Sequence, residues 1–369
     1  MRPQSDWPGV RSILGRWVVT GALPAPPEDE QARLFALVAR EQGLSGLLHQ
    51  AVCEHDAGWP ETARAILRQA DQESFTVGVR QLDAAGRIQD LLAMRGLRCL
   101  PLKGGALVER LYDSVAHRPM GDIDLLVLDD WPTAVALIEA AGFVERGRAD
   151  HAWTFREAQS GVTVELHHGV TSCARVFPLA PEDTWARSRS GCGLVRQIPS
   201  SEDLLVHLSL HAAFQHGLAL SLVQYLDFRR LLEREPPDLA LLTKIATQAG
   251  AKGAVALALE AAHVVVGAPL SPALGDLVVE WLPRALRRYV VTKVRVNPFA
   301  LLAPTEPPLA RLRWALATGR RLTLIRETLT PSHSSLPRPT RLTGLGRALG
   351  LARRWSMPTL RSIGVRPHR

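Results

Sequence analysis

Several things are scarce in this chain of 369 residues, and each scarcity excludes something. No run of about 18 or more consecutive apolar residues occurs, so no ordinary membrane-spanning helix is expected. The first eight residues, Met1 to Pro8, lack the apolar centre and small-residue cleavage site of a secretory signal. Cysteine is limited to Cys53, Cys99, Cys173 and Cys192, with no CxxC pair. Neither a zinc site nor a disulfide framework is expected, and a reducing, cytoplasmic setting fits. Lysine is limited to Lys103, Lys244, Lys252 and Lys293 against forty arginines, so a lysine inside a motif is less expected by chance. Acids are nearly missing from the C-terminal stretch: from Glu306 to Arg369 there are thirteen arginines against Glu306 and Glu327. The net charge of +8 therefore describes that stretch and not the chain's chemistry.

The rest is an ordinary globular composition, 46% hydrophobic and 22% charged, long enough for two or three domains. Residues 1–97 read as an N-terminal helical region. Gln31–Arg40 carries a helical apolar stripe, and Glu61–Arg95 is one long helix or two. Residues 98–170 read as a small α/β core. Its expected elements are a strand at Arg98–Leu102, a helix from Ala106 to Tyr112, a loop at Asp113–Gly121, a strand at Ile123–Leu128, and a helix from Trp131 to Ala141. A hairpin of Ala152–Glu157 and Val162–His167 follows. Residues 171–199 read as a connection, and residues 200–302 as a helical domain opened by Ser200 as N-cap with Asp203 three residues on. Residues 303–369 read as a basic, partly disordered C-terminal region, with a helix expected near Pro308–Thr328.

The chemistry concentrates between residues 100 and 167. Lys103-Gly104-Gly105 sits at a strand-to-helix turn, where small residues and free N–H groups can approach a phosphate. Asp122-Ile123-Asp124 places two carboxylates on one face of a strand, an arrangement that is costly without a cation. Such a pair suits magnesium, which takes oxygen ligands together with substrate phosphates. Taken alone, it fits a solvated edge strand better. Glu165 projects from a later strand with Thr163 and His167, and a third carboxylate would complete a two-metal site. His207 and His211 lie four apart on one helix, a spacing that serves a metal or, more simply, a buried polar network. Asp227 is an acid among apolar neighbours and needs a partner, for which His207 and His211 are the candidates.

Together these segments resemble the nucleotidyltransferase superfamily of the polymerase beta-like fold. The resemblance rests on Leu102-Lys103-Gly104-Gly105, on Asp122-Ile123-Asp124, and on Val164-Glu165-Leu166. A bacterial, mostly uncharacterised subgroup is similar over a longer pattern: Leu102-Lys103-Gly104, Leu111-Tyr112, Arg118 to Val127, and Glu165-Leu166-His167. The resemblance implies an α+β fold, a small mixed sheet with helices flanked by helical regions at both ends. It implies that Asp122, Asp124 and Glu165 are catalytic and hold two Mg²⁺ ions. Lys103, Gly104, Gly105 and Arg118 would bind the phosphates of an NTP. His167, His207, His211 and Asp227 would stand on the acceptor side or behind the ligands. The implied reaction moves a nucleoside monophosphate to a hydroxyl or similar group on a small molecule or peptide and releases pyrophosphate.

Two other readings stand beside it. One is a binding module that keeps the fold without catalysis. The other is a metal-dependent glycosyltransferase, which also uses two spaced aspartates but needs an α/β unit upstream, where this chain reads as helical. Nucleic acid is the less favoured acceptor, because the basic tail has only Trp314 and Trp355 among its arginines.

Overall fold

The computed structural model describes residues 7–24, 28–55, 58–149, 151–171, 174, 176–288 and 291. Cys173 and the expected helix near Pro308–Thr328 lie outside the described residues, as does the rest of the basic C-terminal region. In chain order the elements begin with helices α1 (Trp7–Thr20), α2 (Asp29–Glu41), α3 (Ser45–Glu54) and α4 (Glu61–Ala93). The α/β portion follows as β1 (Cys99–Pro101), α5 (Lys103–Leu111), β2 (Ile123–Val127), α6 (Trp131–Ala140), β3 (Phe143–Arg148), β4 (Ala152–Glu157) and β5 (Thr163–His167). A short helix α7 (Pro181–Ala186) and the two-residue strands β6 (Arg189–Ser190) and β7 (Gln197–Ile198) lead on. Helices α8 (Ser201–Leu210), α9 (Leu222–Arg234), α10 (Leu239–Gln248), α11 (Lys252–Val266) and α12 (Pro272–Trp281) follow, and the described chain is helical again over 284–288. The fold is α+β, as expected.

Five strands form one mixed sheet in the order β1-β2-β5-β4-β3, with β2 and β5 parallel and the other pairs antiparallel. Strand β2 is therefore an interior strand, flanked by β1 and β5, and the edge-strand reading of Asp122-Ile123-Asp124 is overturned. The parallel register sets Ile123 beside Val164, Asp124 beside Glu165, and Leu125 beside Leu166. Because successive residues alternate in direction, Ile123, Leu125, Val164 and Leu166 share one face while Asp124, Glu165 and His167 share the other. The apolar face is closed by helices. A side chain at Gly105 on α5 would come within 3.3 Å of Ile123 Cδ1. Trp131 at the start of α6 meets Trp153 of β4 edge to face, 5.7 Å between centroids. Helix α4 reinforces this side: Gln89 donates to the Cys99 carbonyl at 2.9 Å and Gln81 to the Met120 carbonyl at 3.3 Å.

One continuous cluster of buried side chains runs from Val10 to Leu282. Helix α11 is apolar on nearly every side, from Ala254 to Ala262, and is buried as such a sequence must be. It stops at Gly267, whose φ of 66° provides the left-handed cap. Helices α1 and α11 meet there through α9: Arg229 donates to the Val18 carbonyl at 2.7 Å and to the Val266 carbonyl at 3.0 Å. Ser200 caps α8 as expected, accepting from the Asp203 N–H at 3.1 Å.

Some boundaries differ from the sequence reading. Helix α5 starts at Lys103 and not at Ala106, so the two glycines form its first turn. Strand β3 was not anticipated, because Phe143 to Arg148 has only one fully buried side chain and little periodic signal. The helix expected to run to His216 leaves α geometry at Leu210 and continues as a π-helical turn over His211–Gln215. The loop expected at 113–121 contains a 3₁₀ turn, Val115–His117, nested against two glycines of α3 and α4. A β-carbon at Gly46 would fall 2.6 Å from the Ala116 carbonyl oxygen, and one at Gly78 would fall 2.2 Å from Val115 Cγ1.

Gly46→Ala should therefore cost about 1–3 kcal/mol, because the backbone of the Val115–His117 turn has to move. Gly9→Ala on α1, where nothing lies within 4 Å, should be neutral or slightly stabilising. Thermal melts of both variants check the pair, and equal melting temperatures would show that the turn is not seated as described.

Candidate active site

The site lies on the open face of the sheet, where β2, β5 and the start of α5 converge. Asp124 is only 4% exposed, and its Oδ1 receives two donors: Lys103 Nζ at 2.7 Å and His167 Nε2 at 2.9 Å. The same His167 nitrogen lies 3.6 Å from Glu165 Oε2. One ligand atom each from Asp124, Glu165 and His167 falls within 4.8 Å of the other two. Asp122 is one residue ahead of β2 and outside that set, so the cluster able to hold a metal ion has a histidine where an aspartate was expected. Lys103 has a φ of 46°, a left-handed backbone that a side chain adopts only under constraint.

Electrostatics follow from these contacts. Burial alone would raise Asp124, but the hydrogen bond from His167 and the Lys103 charge outweigh it and hold the carboxyl well below the usual range. Burial disfavours the charged form of His167, yet its bonds to Asp124 and Glu165 prevail and raise it. Glu165 is lowered by its bond to His167. Asp122 moves the other way: burial, then the charges of Asp124 and Glu165, push it up to about 6.

Arg118 and Asp227 are placed differently from the sequence reading. The Arg118 guanidinium is engaged by Asp227 as a fork, Nε to Oδ1 at 2.9 Å and Nη2 to Oδ2 at 2.8 Å, while Nη1 donates to the Pro119 carbonyl at 2.8 Å. Tyr112 adds a third bond to Asp227 at 2.7 Å. Asp227 is thus satisfied by Arg118 and Tyr112, and not by His207 or His211. Arg118, 8% exposed, is held as a structural cation and has no fork left to offer a phosphate. It also limits Gly104, where a β-carbon would lie 2.9 Å from Met120 Sδ and 3.5 Å from Arg118 Cζ. Gly104 and Gly105 are needed for this close packing whatever else their N–H groups do.

A cavity of about 20 Å³, room for one water-sized group, opens beside Lys103 and His167. Val170, Phe177, Leu210 and Phe214 supply its apolar wall, and His151, His207 and His211 its polar one. His207 donates from Nδ1 to the Val170 carbonyl at 2.7 Å, which leaves Nε2 as a hydrogen-bond acceptor. That Nε2 is buried and has no partner among the described residues. Burial, and then the Lys103 charge, push His207 down to about 4, so the ring is neutral. His211 stacks on His207 at 6.3 Å and shares a ring nitrogen contact of 3.2 Å with His216. The sequence reading missed His151, whose ring lies 5.5 Å from that of His167. The hairpin register was the available signal, since Ala152 pairs with His167 and places residue 151 at its end.

Residues 28–267 match the family described as uncharacterised nucleotidyltransferase. Among solved structures, an antigenic nucleotidyltransferase-like protein from Paracoccidioides brasiliensis is similar over 46% of this chain and 86% of its own, at 16% identity and a TM-score of 0.32. No curated protein matches the chain. Among the described residues no helix is long and apolar enough to cross a membrane.

Two outcomes follow from the charges. Asp227→Ala should destabilise the protein by about 3–5 kcal/mol, because it leaves Arg118 buried and unpaired. Arg118→Met combined with Asp227→Leu should recover most of that loss in urea unfolding. Asp122, raised from 3.8 to about 6, holds its proton more tightly when folded. Its cost is absent below its ordinary pKa, grows toward pH 6 and is full above it. Asp122→Asn should stabilise the metal-free protein at pH 8 by about 1–2 kcal/mol, after discounting for solvent screening. That gain should vanish in melts at acidic pH, and a pH-independent gain would contradict it.

Proposed function

The chain belongs to the uncharacterised nucleotidyltransferase family, and from that membership we propose metal-dependent transfer of a nucleoside monophosphate from an NTP to a hydroxyl, with release of pyrophosphate. One observation carries the reading. The parallel pairing of β2 and β5 sets Asp124 directly beside Glu165 on the open face of the sheet, with Asp122 next to them. Three carboxylates gathered there, one of them buried, call for divalent cations. Asp122, Asp124 and Glu165 would hold them, and the chemistry they supply when bound is neutralisation of the triphosphate and of the leaving pyrophosphate.

The chain's own groups do the remaining work. Lys103 stands at the first turn of α5 with a flexible ammonium that can exchange Asp124 for a phosphate oxygen. The N–H groups of that first turn, at Lys103, Gly104 and Gly105, provide neutral donors for phosphate. Arg118 keeps the loop before β2 in place through Asp227 and takes no part in phosphate binding. The acceptor enters the cavity beside His167, where His207 Nε2 receives the hydrogen of its hydroxyl and orients the oxygen. The apolar wall of Val170, Phe177 and Phe214 keeps bulk water from that oxygen. Among the described residues of 7–93 every element is a helix, whereas a glycosyltransferase needs an upstream α/β unit.

A second reading, nucleotide binding without transfer, draws on one observation. Lys103 and His167 both pair with Asp124, so the chain's own groups supply positive charge to that carboxylate.

Calorimetry with each NTP in the presence of a divalent cation tests the first reading against Asp124→Asn. The wild type should bind at least one NTP, and the variant should bind it roughly tenfold or more weakly. Nucleotide binding that is absent, or that ignores both the cation and the substitution, would sink the proposal. Binding without pyrophosphate release across a panel of small alcohols and serine peptides would favour the second reading.

A further inference from the structure

Nucleotidyl transfer as proposed uses the three carboxylates and leaves His167 unexplained. Resting on that reading, we infer that His167 Nε2 is itself a metal ligand, and that the site takes Mn²⁺ and neighbouring transition divalents in preference to Mg²⁺.

The geometry of the donor atoms is the first argument. An ion about 2.0–2.2 Å from each ligand sets adjacent donors about 3 Å apart and opposite donors about 4 Å apart. His167 Nε2 lies 2.9 Å from Asp124 Oδ1 and 3.6 Å from Glu165 Oε2. All three ligand atoms fall within 4.8 Å of one another, with no rearrangement of the backbone. Asp122, expected in that place, stands outside the set.

Rigidity is the second. His167 is two residues from Glu165 on β5, with Leu166 anchored in the core between them, so both side chains leave the same face. The ring is 4% exposed. It is held beside the acids by the strand, and an imidazole that was only a surface counter-charge would not need such a seat.

The third argument is convergence on one oxygen. Lys103 Nζ and His167 Nε2 both reach Asp124 Oδ1. Two donors crowd the position where positive charge is needed. Lysine can leave it for a phosphate, because its stem is flexible and it cannot bind a metal while charged. Histidine stays, and it offers a ring nitrogen to an incoming ion in exchange for its proton.

The chemical consequence is selectivity. Magnesium takes oxygen donors in near-ideal octahedral geometry and gives up water reluctantly. One imidazole with two carboxylates is a mixed nitrogen and oxygen set, which suits Mn²⁺, Fe²⁺, Co²⁺ and Zn²⁺. An all-carboxylate site would not separate Mn²⁺ from Mg²⁺ to the same degree.

The test uses the full chain, Mn²⁺, and inorganic triphosphate, which contains no nitrogen. Pulsed electron paramagnetic resonance of bound Mn²⁺ should show coupling to a ¹⁴N nucleus, changed to ¹⁵N coupling in protein grown with labelled histidine. His167→Gln should abolish that coupling, and His151→Gln should keep it. Titration should give Mn²⁺ an affinity at least roughly tenfold above that of Mg²⁺, with the ratio falling toward unity in His167→Gln. Bound Mn²⁺ with couplings to oxygen and water alone in the unmodified protein overturns this inference and leaves the transfer reading intact. Absence of ion binding, with or without triphosphate, overturns both. Because the decisive spectrum is taken on the wild type, poor folding of a variant does not spare the claim.

Discussion

A carboxylate kept ionised where water hardly reaches is the constraint on which the site depends. Removing such a charge from water costs several kcal/mol unless partners replace the lost solvation. Asp124 has two, and each has shaped the chain around it. His167 is available because β5 runs parallel to β2 in a register that puts Glu165 beside Asp124 and the histidine one step beyond. Lys103 is available because the chain leaves β1 and enters α5 through a left-handed residue, a conformation that costs about 1 kcal/mol or more for a non-glycine. The ion pair offsets that strain, and the strain directs the lysine toward the acid.

Behind this first pair stands a second, Arg118 with Asp227, and the two have different jobs. The first is open on one side to the cavity and can be exchanged for other charges. The second is closed, with the carboxylate 1% exposed and the guanidinium fully committed to neighbouring oxygens. Tyr112 completes it, and Arg230 lies over the Tyr112 ring at 4.4 Å. The permanent pair fixes the loop that carries the chain into β2, and so fixes where Asp122 and Asp124 begin. A site that must exchange charges needs a frame that does not.

How much of this was legible in the sequence depended on the range of the interaction. The hairpin of β4 and β5, the strand β2, the cap of α8 and the span of α11 all leave local marks: alternation, a capping serine, an apolar helix with a terminal glycine. Asp122, Asp124, Glu165, Lys103 and the two glycines stood out in the sequence because few residue types suit phosphate and cation chemistry at that spacing, and the structure brings Lys103, Asp124 and Glu165 to one place. The partnership of Arg118 with Asp227 did not stand out, since 109 residues separate them and both have plausible nearer partners. Asp113, one such alternative, is taken by Arg234 instead. The interior position of β2 depends on a strand order that no local pattern encodes. The π-helical turn at His211–Gln215 left no mark either, because its residues have ordinary helical character. The choice of His167 over Asp122 within the closest cluster left no local mark, although β2 begins at Ile123 as expected: Asp122 falls just ahead of the strand, and His167 reaches Asp124 only through the pairing of β2 with β5.

Helix α9 touches the region around α5 at several points along its length. Asp227 holds Arg118 and Tyr112, Arg230 donates to the Leu111 carbonyl at 2.8 Å, and Arg234 pairs with Asp113 at 2.7 Å. Glu235, just past its end, accepts from Arg110 at 3.0 Å. Together these act as a splint. An enzyme that closes on its substrate like two jaws needs a hinge between them, and here the place where a hinge would fall is riveted. Parting α9 from the loop would break the fork between Arg118 and Asp227 together with the contacts of Tyr112 and Arg234 beside it. On the proposed reading, substrates would come to a mouth that is already formed, and the exchangeable parts of it are side chains such as Lys103, not whole domains.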